Sequence, residues 1–425
     1  MDQIWYYIKD KQRPFLRKED FKMKFTLAKA NVFSNGKIVK NDYSFSLFNS
    51  ESVGIGGTVS VDSNEYFIFP GLTDVHVHFR EPGFSYKEKI TTGSLAAARG
   101  GYTSVCTMPN LDPAPDSLEN LNVQLNLINR GAKISVLPFG TITKGQAGLE
   151  LSDMEALAPF VCGFSDDGRG VDDIGLMREA MTRAKALDKV ISAHCEDGTC
   201  VKDSPEAEWK QIERDIKLVS EIGCKYHVCH ISTKESVSLI RDAKSSGVNI
   251  TCETAPHYLL LTDADKEDSG RFRMNPPLRD EADKLALLNG VVDGTVDMIA
   301  TDHAPHSAEE KGRGFEKSLN GIVGLETAFP VLYTELVKNQ KLITLENLIH
   351  MMSIAPNKRF GIEQPRGFTV YSLGDEYKID PDSFKTMGRS TPFDGWSVFG
   401  KCLMTVCDQK ISYVDEEFKT KMNID

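Results

Sequence analysis

Several absences narrow the class of this protein. The 425 residues include no apolar run of about 18 residues, so the sequence excludes a transmembrane helix. No lysine- and arginine-rich run occurs, and 50 basic against 61 acidic residues give a net charge of −11, which argues against nucleic acid as a partner. None of the nine cysteines forms a Cys-x-x-Cys pair. Most of them lie inside apolar runs such as SVCTM and YHVCHI, so we expect reduced, buried thiols in a cytoplasmic protein.

The first 22 residues lack both the apolar core and the small-residue cleavage site of a secretory signal. Strand-like alternation begins only at Met23, so we interpret residues 1–22 as an N-terminal extension that lies outside the fold.

The segment from residue 66 to residue 306 alternates eight short apolar runs with amphipathic stretches. The runs are YFIFPGLTDVHVHF, YTSVCTMPN, AKISVLPFG, PFVCGFSDDG, KVISAHCED, KYHVCHIST, VNITCETAPHY and VDMIATDHAPH. Apolar runs that alternate with helices are typical of parallel strands covered on both faces. The pattern predicts an α/β protein with a (β/α)8 barrel over residues 66–362, and a doubly wound open sheet is the alternative.

The two flanks show strand alternation instead. Residues 23–65 and 363–425 contain short alternating segments with turn signals such as Asn-Gly and Asp-Gln. We expect these flanks to form one small β-sandwich domain built from both chain ends.

Histidines concentrate where the apolar runs end, which in such a barrel is the active-site face. Eight of the nine lie there: His76, His78, His194, His227, His230, His257, His303 and His306. Imidazole and carboxylate ligands suit zinc, and three protein ligands plus a water molecule mark a catalytic site. Two neighbouring metal ions need a bridging ligand, and the fourth run offers Asp166 and Asp167 but no lysine.

The chain resembles the amidohydrolase superfamily, and the dihydroorotases in particular, over residues 69–306. The segments that carry the resemblance include PGLTDVHVHFREPG, GFSDDGRGV, AHCED, HVCHIST, CETAPHYL, MNPPLR and ATDHAPH. The resemblance implies a metal-bearing barrel with a β-sandwich made from both termini, which agrees with the prediction from the apolar runs.

The resemblance also implies roles for individual residues. His76 and His78 match the first pair of metal ligands, Asp167 matches a bridging carboxylate, and His194 and His230 match the ligands of a second metal ion. Asp302 matches a residue that is both metal ligand and general base. Arg80, Asn110 and His306 match residues that hold the substrate carboxylate, and Asn275 falls where the family contacts the pyrimidine ring. The implied cofactor is Zn²⁺, one or two ions per chain, with two favoured.

Other polar residues near these positions have simpler interpretations. Asp166 remains an alternative to Asp167 as the bridge. We expect His227 to be structural, and His257 and His303 to support or pack against the site. Lys87 and Lys89 open a predicted helix, and we interpret them as solvated.

The implied reaction is the reversible conversion of N-carbamoyl-L-aspartate to L-dihydroorotate and water in pyrimidine biosynthesis. Allantoinases and dihydropyrimidinases are alternatives that use neutral rings, which Arg80 and the lack of a lysine in the fourth run disfavour. A non-catalytic homologue that scaffolds aspartate transcarbamoylase is disfavoured because every expected ligand is present. The small molecule is the expected partner, and the resemblance leaves open a homodimer and an association with aspartate transcarbamoylase.

Overall fold

Eight short parallel strands follow one another between residues 72 and 299, and most of their residues are buried. The computed structural model describes residues 21–48, 57–363 and 367–424. The eight strands are β5 (Leu72–Val77), β6 (Tyr102–Thr107), β7 (Ser135–Pro138), β8 (Gly163–Phe164), β9 (Val190–Ala193), β10 (Lys225–Val228), β11 (Ile250–Thr254) and β12 (Met298–Ile299).

These strands close into a barrel. One sheet has the order β5-β6-β7 and the other β12-β11-β10-β9-β8, with parallel pairing throughout. Parallel bridges from Gly140 to Phe164 and from Val77 to His303 join the two sheets at both open edges. The closed ring confirms the predicted (β/α)8 barrel, and the open sheet is wrong because no edge is left between β5 and β12.

Helices connect the strands and cover the outside of the barrel. The helix Pro205–Ile222 illustrates why they form: Ser204 accepts a hydrogen bond from the N–H of Ala207, proline occupies the first turn, and Gly223 ends the helix with φ of 77°. The α-helices are Ile90–Arg99, Leu118–Gly131, Met154–Leu157, Ile174–Ala186, Pro205–Ile222, Lys234–Ser245, Pro256–Leu260, Glu281–Asp293, Ala308–Lys311, Gly314–Lys317, Ala328–Leu332, Leu345–Ile349, Ala355–Phe360 and Glu416–Lys421. π-helical turns at Tyr333–Asn339 and His350–Ile354 extend three of them.

Strands from both ends of the chain form a separate mixed sheet. Its order is β17-β16-β13-β4-β1-β2, with β3 paired to β1. The strands are β1 (Phe21–Ser34), β2 (Lys37–Phe48), β3 (Gly57–Asp62), β4 (Tyr66–Pro70), β13 (Phe368–Ser372), β16 (Lys401–Cys407) and β17 (Lys410–Val414). A two-residue pair, β14 (Tyr377–Lys378) and β15 (Ser397–Val398), lies outside this sheet. The β-domain predicted from both chain ends is therefore present.

The borders of the β-domain differ in detail from the sequence boundaries. Strand β1 starts at Phe21, two residues before Met23, and residues 1–20 of the predicted extension lie outside the described residues. Strand β4, which the boundary at residue 66 assigned to the barrel, pairs with β1 and β13 in the terminal sheet. The apolar run from residue 66 to residue 79 is thus two strands, separated by Gly71.

Among the described helices, none combines the length and the apolar character needed to cross a membrane. All nine cysteines are free thiols; seven of them are buried, as their position in apolar runs predicted, and Cys162 and Cys200 are half-buried.

Candidate metal centre and active site

The carboxyl ends of the barrel strands bring six of the predicted side chains into one buried cluster. His76 lies on β5 and His78 directly follows it, so that both rings project to the same side of the strand. The other members follow β8, β9, β10 and β12, and none of the six is more than 6% exposed. The cluster comprises His76, His78, Asp167, His194, His230 and Asp302.

Asp167 lies at the centre of this cluster. Its Oδ1 is 3.2 Å from Nε2 of His76, 3.7 Å from Nδ1 of His194 and 3.6 Å from Nε2 of His230. Its Oδ2 is 3.5 Å from Nε2 of His78. Burial alone raises the pKa of Asp167, but the charge of His76 and the nearby ring of His230 outweigh burial and lower that pKa well below its usual range. One ionised carboxylate therefore faces four imidazoles.

Asp166, the alternative bridge, points away from the cluster. Its Oδ1 accepts hydrogen bonds from the N–H groups of Ile142 (2.7 Å) and Thr143 (3.1 Å), and its Oδ2 accepts one from the Thr143 hydroxyl. Burial raises the pKa of Asp166 to about 6. Asp166 thus fixes the loop after β7, and Asp167 alone of the pair faces the histidines.

Asp302 completes the cluster from the end of the eighth barrel strand. Its Oδ1 is 3.1 Å from Nε2 of His78 and 3.6 Å from Nε2 of His76. Asp302 has φ of 48° and His230 has φ of 30°, the left-handed region that costs a non-glycine residue free energy. Such strain persists where the surrounding structure holds it, and it is concentrated at functional sites.

Three buried atoms of the cluster form no hydrogen bond of good geometry with the described residues, although two of them, Nε2 of His76 and Oδ1 of Asp167, lie 3.2 Å apart. The three are Nε2 of His76, Nδ1 of His230 and Oδ1 of Asp167. Ligand atoms of His76, His78 and Asp167 lie within 4.8 Å of one another, and so do those of Asp167, His194 and His230. Buried polar atoms normally have partners, so converging unpartnered nitrogen and oxygen atoms fit a divalent metal ion.

Glu253 is a member of the site that the sequence analysis missed. Its Oε1 accepts a hydrogen bond from Nδ1 of His76 at 2.8 Å, and its Oε2 one from Nε2 of His227 at 3.0 Å. Burial alone raises the pKa of Glu253, but these two hydrogen bonds outweigh burial and bring that pKa to about 2. The carboxylate therefore orients His76, an arrangement common behind metal-binding histidines. The only signal in the sequence is an acidic residue inside the buried strand ITCET.

His227 has the structural position that was expected. Its Nδ1 lies 2.9 Å from the hydroxyl of Thr251, and its other ring nitrogen binds Glu253. His257 packs against the ring of Tyr258 with centroids 4.1 Å apart, and burial lowers the pKa of His257 to about 4. Neither ring belongs to the cluster around Asp167.

Arg80 is a buried cation beside the cluster. Its Nε donates a hydrogen bond to the carbonyl of Pro305 at 3.2 Å, and one terminal nitrogen lies 3.5 Å from Nε2 of His306. The side chain is 8% exposed, and burial lowers the pKa of Arg80 to about 10. Among the described residues, no carboxylate lies within ion-pair distance of Arg80, although the charges of Asp302 and Asp167 favour its charged form. A buried guanidinium without a directly paired anion is costly, so this position suits an anionic ligand.

His306 is held by the chain on both ring nitrogens. Its Nε2 donates to the carbonyl of Asn320 at 2.8 Å, and its Nδ1 lies 3.2 Å from Nζ of Lys87 and 3.3 Å from Oε2 of Glu310. Burial and the charges of Arg80 and Lys87 lower the pKa of His306 to about 3, so the ring is neutral. Lys87 was expected to be solvated, which is wrong: its side chain is 12% exposed and forms an ion pair with Glu310 at 3.1 Å.

The two predicted asparagines lie at opposite sides of the cluster. Oδ1 of Asn110 accepts a hydrogen bond from Nδ1 of His78 at 2.9 Å. Nδ2 of Asn275 is 3.5 Å from Nε2 of His194 and donates to Oε2 of Glu196 at 3.3 Å. The two asparagines therefore contact histidines of the cluster, whereas Arg80 and His306 lie next to each other.

Comparison with known proteins identifies the family. A family model described as "Dihydro-orotase-like" matches residues 66–210. A dihydroorotase of Fusobacterium nucleatum is 46% identical over an alignment of 393 residues, and the match covers 87% of this chain and 92% of that protein. A dihydroorotase of Bacillus thuringiensis is 44% identical over an alignment of 411 residues, and the match covers 91% of this chain and 94% of that protein. The chain belongs to the dihydroorotase family.

Solved structures similar to this dihydroorotase-family chain agree in fold. An L-hydantoinase (dihydropyrimidinase) from Arthrobacter aurescens superposes with a TM-score of 0.80 at 23% identity, covering 92% of this chain and 96% of that one. A D-hydantoinase superposes with a TM-score of 0.81 at 19% identity, covering 93% and 96%. At such identities the likeness shows the amidohydrolase fold alone.

Proposed function

We propose that this chain is a dihydroorotase, which interconverts N-carbamoyl-L-aspartate and L-dihydroorotate. The observation that carries the proposal is Arg80, a buried guanidinium without a carboxylate partner in the described chain, beside the cluster around Asp167. A neutral ring would leave this cation unpaired, whereas the carboxylate of dihydroorotate would pair with it. The relatives named dihydroorotase support the same reaction.

We further propose zinc as the metal, with two ions that share Asp167. His76 and His78 would hold one ion, and His194 and His230 the other. The unpartnered atoms of His76, His230 and Asp167 support this assignment, as does the preference of zinc for imidazole and carboxylate ligands. When bound, such ions lower the pKa of a water molecule and polarise the amide carbonyl.

Residues of the chain would supply proton transfer and substrate binding. In the direction of hydrolysis, Asp302 would take a proton from the attacking water and return it to the ring nitrogen that leaves. Arg80 would bind the substrate carboxylate and thereby orient the ring, with the amide of Asn110 and the ring of His306 beside it. Asn275, on the side of His194, would face the pyrimidine ring.

The wider setting follows from this reaction. We place it in pyrimidine biosynthesis and in the cytoplasm. A homodimer and an association with aspartate transcarbamoylase remain predictions for this chain.

A turnover assay with measured metal content tests the proposal. The purified chain should interconvert carbamoyl-aspartate and dihydroorotate, contain zinc, and act poorly on the neutral rings dihydrouracil and allantoin. Asp302→Asn should bind dihydroorotate but lose most of kcat, because the base is absent. Faster turnover of a neutral ring, or no turnover of dihydroorotate by the zinc-loaded chain, would contradict the proposal.

A further inference from the structure

Glu88 is a fully buried carboxylate in the segment between β5 and the helix Ile90–Arg99, outside the cluster around Asp167. Its Oε1 accepts hydrogen bonds from the Thr92 hydroxyl and from the N–H of Lys89 at 3.3 Å. Its Oε2 accepts them from the Thr386 hydroxyl and from the N–H of Met387 at 3.2 Å. Glu88 therefore connects the loop after β5 to the segment around Thr386 and Met387.

The same carboxylate approaches His303. The N–H of Gly324 donates to Nδ1 of His303 at 3.2 Å, so this nitrogen is an acceptor and the proton of the neutral ring lies on Nε2. Nε2 lies 3.4 Å from the hydroxyl of Thr386 and 3.6 Å from Oε2 of Glu88. The ring of His303 is thus held between the Gly324 backbone and the pair formed by Glu88 and Thr386.

His303 in turn fixes two residues of the cluster. It directly follows Asp302, whose backbone has φ of 48°. Its carbonyl accepts the N–H of His78 at 2.8 Å, and it forms the bridge to Val77 that closes the barrel. A shift of the His303 backbone would therefore move Asp302 and His78 together.

We propose that Glu88 and Thr386 are positioning residues for Asp302 and that they act through His303. In this arrangement the segment around residue 386 lies far along the chain from the barrel strands, yet it supports the active site through its contacts with Glu88 and His303. The inference rests on the proposed function, because it concerns the residue that moves the proton. Outer partners of this kind commonly alter activity or metal affinity by about 10- to 100-fold.

The chain offers a matched control in Glu326. This second buried carboxylate binds the same segment, accepting the N–H groups of Lys385 at 3.0 Å and Thr386 at 3.2 Å, and it pairs with Arg99 at 2.6 Å. Its hydrogen bonds go to the backbone of Lys385 and Thr386 and to Arg99, and none of these is made with His303 or Glu88. Glu326→Gln should therefore lower the Tm and leave kcat within about 2-fold of the wild type, because the contacts with His303 remain.

The test compares Glu88→Gln, Thr386→Val, Thr386→Ser and Glu326→Gln in the full chain. We measure kcat and KM for dihydroorotate, Tm, and zinc affinity of the metal-free chain by competition with a chelator. Glu88→Gln and Thr386→Val should each lower kcat and zinc affinity about 10-fold or more, with KM changed less than about 3-fold. Thr386→Ser retains the hydroxyl, so its kcat and zinc affinity should stay close to those of the wild type.

Two outcomes would overturn the inference. One is that Glu326→Gln loses as much kcat and zinc affinity as Glu88→Gln at a similar Tm, since a general loss of packing would then explain both. The other is that Thr386→Ser behaves as Thr386→Val does, which decides the question even where Glu88→Gln fails to fold. A wild-type chain that binds zinc but does not convert dihydroorotate would contradict the proposed function instead, and the order of zinc affinities would still test the positioning role.

Discussion

Asp166 and Asp167 are neighbours in the sequence, but their side chains point in different directions and have different roles. Asp166 accepts backbone hydrogen bonds from the loop after β7, whereas Asp167 faces four imidazoles. Both residues are buried, so burial does not distinguish them. The direction of the side chain decides the role, and the dipeptide Asp-Asp in the sequence leaves that direction open.

The first prediction separates these two roles by substitution. Asp167→Ala should remove most of the bound metal, because the carboxylate that faces His76, His194 and His230 is lost. Asp166→Ala should retain the metal but lower the free energy of unfolding by about 1–3 kcal/mol, since buried N–H groups lose their acceptor. Metal per chain, measured by mass spectrometry, and chemical denaturation check both variants. Full metal in Asp167→Ala together with metal loss in Asp166→Ala would reverse the assignment.

The second prediction concerns recognition of the acidic substrate by Arg80. A charge-assisted pair is worth roughly 1.5–3 kcal/mol, which corresponds to about 10- to 100-fold in binding. Arg80→Met should therefore lower kcat/KM for dihydroorotate by at least about 10-fold and retain the full metal content. Hydrolysis of dihydrouracil, which has no carboxylate, serves as the control and should change little. An equal loss on both rings would show that Arg80 acts on the site in general.

The histidines could be predicted because they follow the ends of the apolar runs, and the resemblance to the dihydroorotases selected Asp167 over Asp166. The residues that form hydrogen bonds with site histidines, such as Glu253 and Lys87, could not be predicted. Glu253 reaches His76 across the barrel, and Lys87 reaches His306 through a loop, so both contacts depend on side-chain directions. A single acidic or basic residue in the sequence does not indicate the direction in which its side chain points.

Two of the strands that position the site are very short. Strands β8 and β12 are only two residues long, yet each is followed three residues later by a residue of the cluster, Asp167 and Asp302 respectively. Their apolar runs were recognisable because buried parallel strands consist of continuous apolar segments. The turns were recognisable as well: Asp408 and Gln409 have φ of 49° and 61°, as the hairpin between β16 and β17 requires.

The third prediction is a pH dependence that arises in the helix Ala308–Lys311. Nζ of Lys311 donates to the carbonyls of Arg273 at 3.0 Å and Leu319 at 2.7 Å, which pins this helix to the loops around the site. Burial, helped by the charge of Arg273, lowers the pKa of Lys311 to about 7, against about 10.4 in an unfolded chain. Between these values the unfolded state binds the additional proton, so stability rises with pH.

Lys311→Met removes this linkage. The Tm of the wild type, relative to that of Lys311→Met, should increase as the pH rises from about 7 to about 10 and should be level below about 7. Subtracting the variant cancels the other titrating groups. A difference that stays flat or falls over this range would mean that the amine remains charged in the folded protein.

The whole molecule joins a barrel to a sheet made from both chain ends, and the chain crosses between them at two glycines. Gly71 leads from β4 into β5, and Gly367 leads into β13. A Cβ at Gly71 would lie 2.1 Å from Oγ1 of Thr103, and a Cβ at Gly367 would lie 3.0 Å from Cγ2 of the same residue. Alternation in the flanks predicted that both ends share one domain. It could not predict that both crossings pack on one buried side chain, because close approach leaves no periodic pattern.

The fourth prediction tests this junction with a double-mutant cycle. Gly71→Ala should lower the free energy of unfolding by about 1–3 kcal/mol, because Thr103 is buried and its Cβ would lie 2.6 Å from the new methyl group. Thr103→Gly removes the obstacle, so Gly71→Ala combined with Thr103→Gly should be less destabilised than the sum of the single changes. Gly374→Ala is the matched control, since its Cβ would meet nothing within 4 Å. Strictly additive losses in the free energy of unfolding would show that Gly71 and Thr103 are not coupled. Another contact would then have to explain the glycine at position 71.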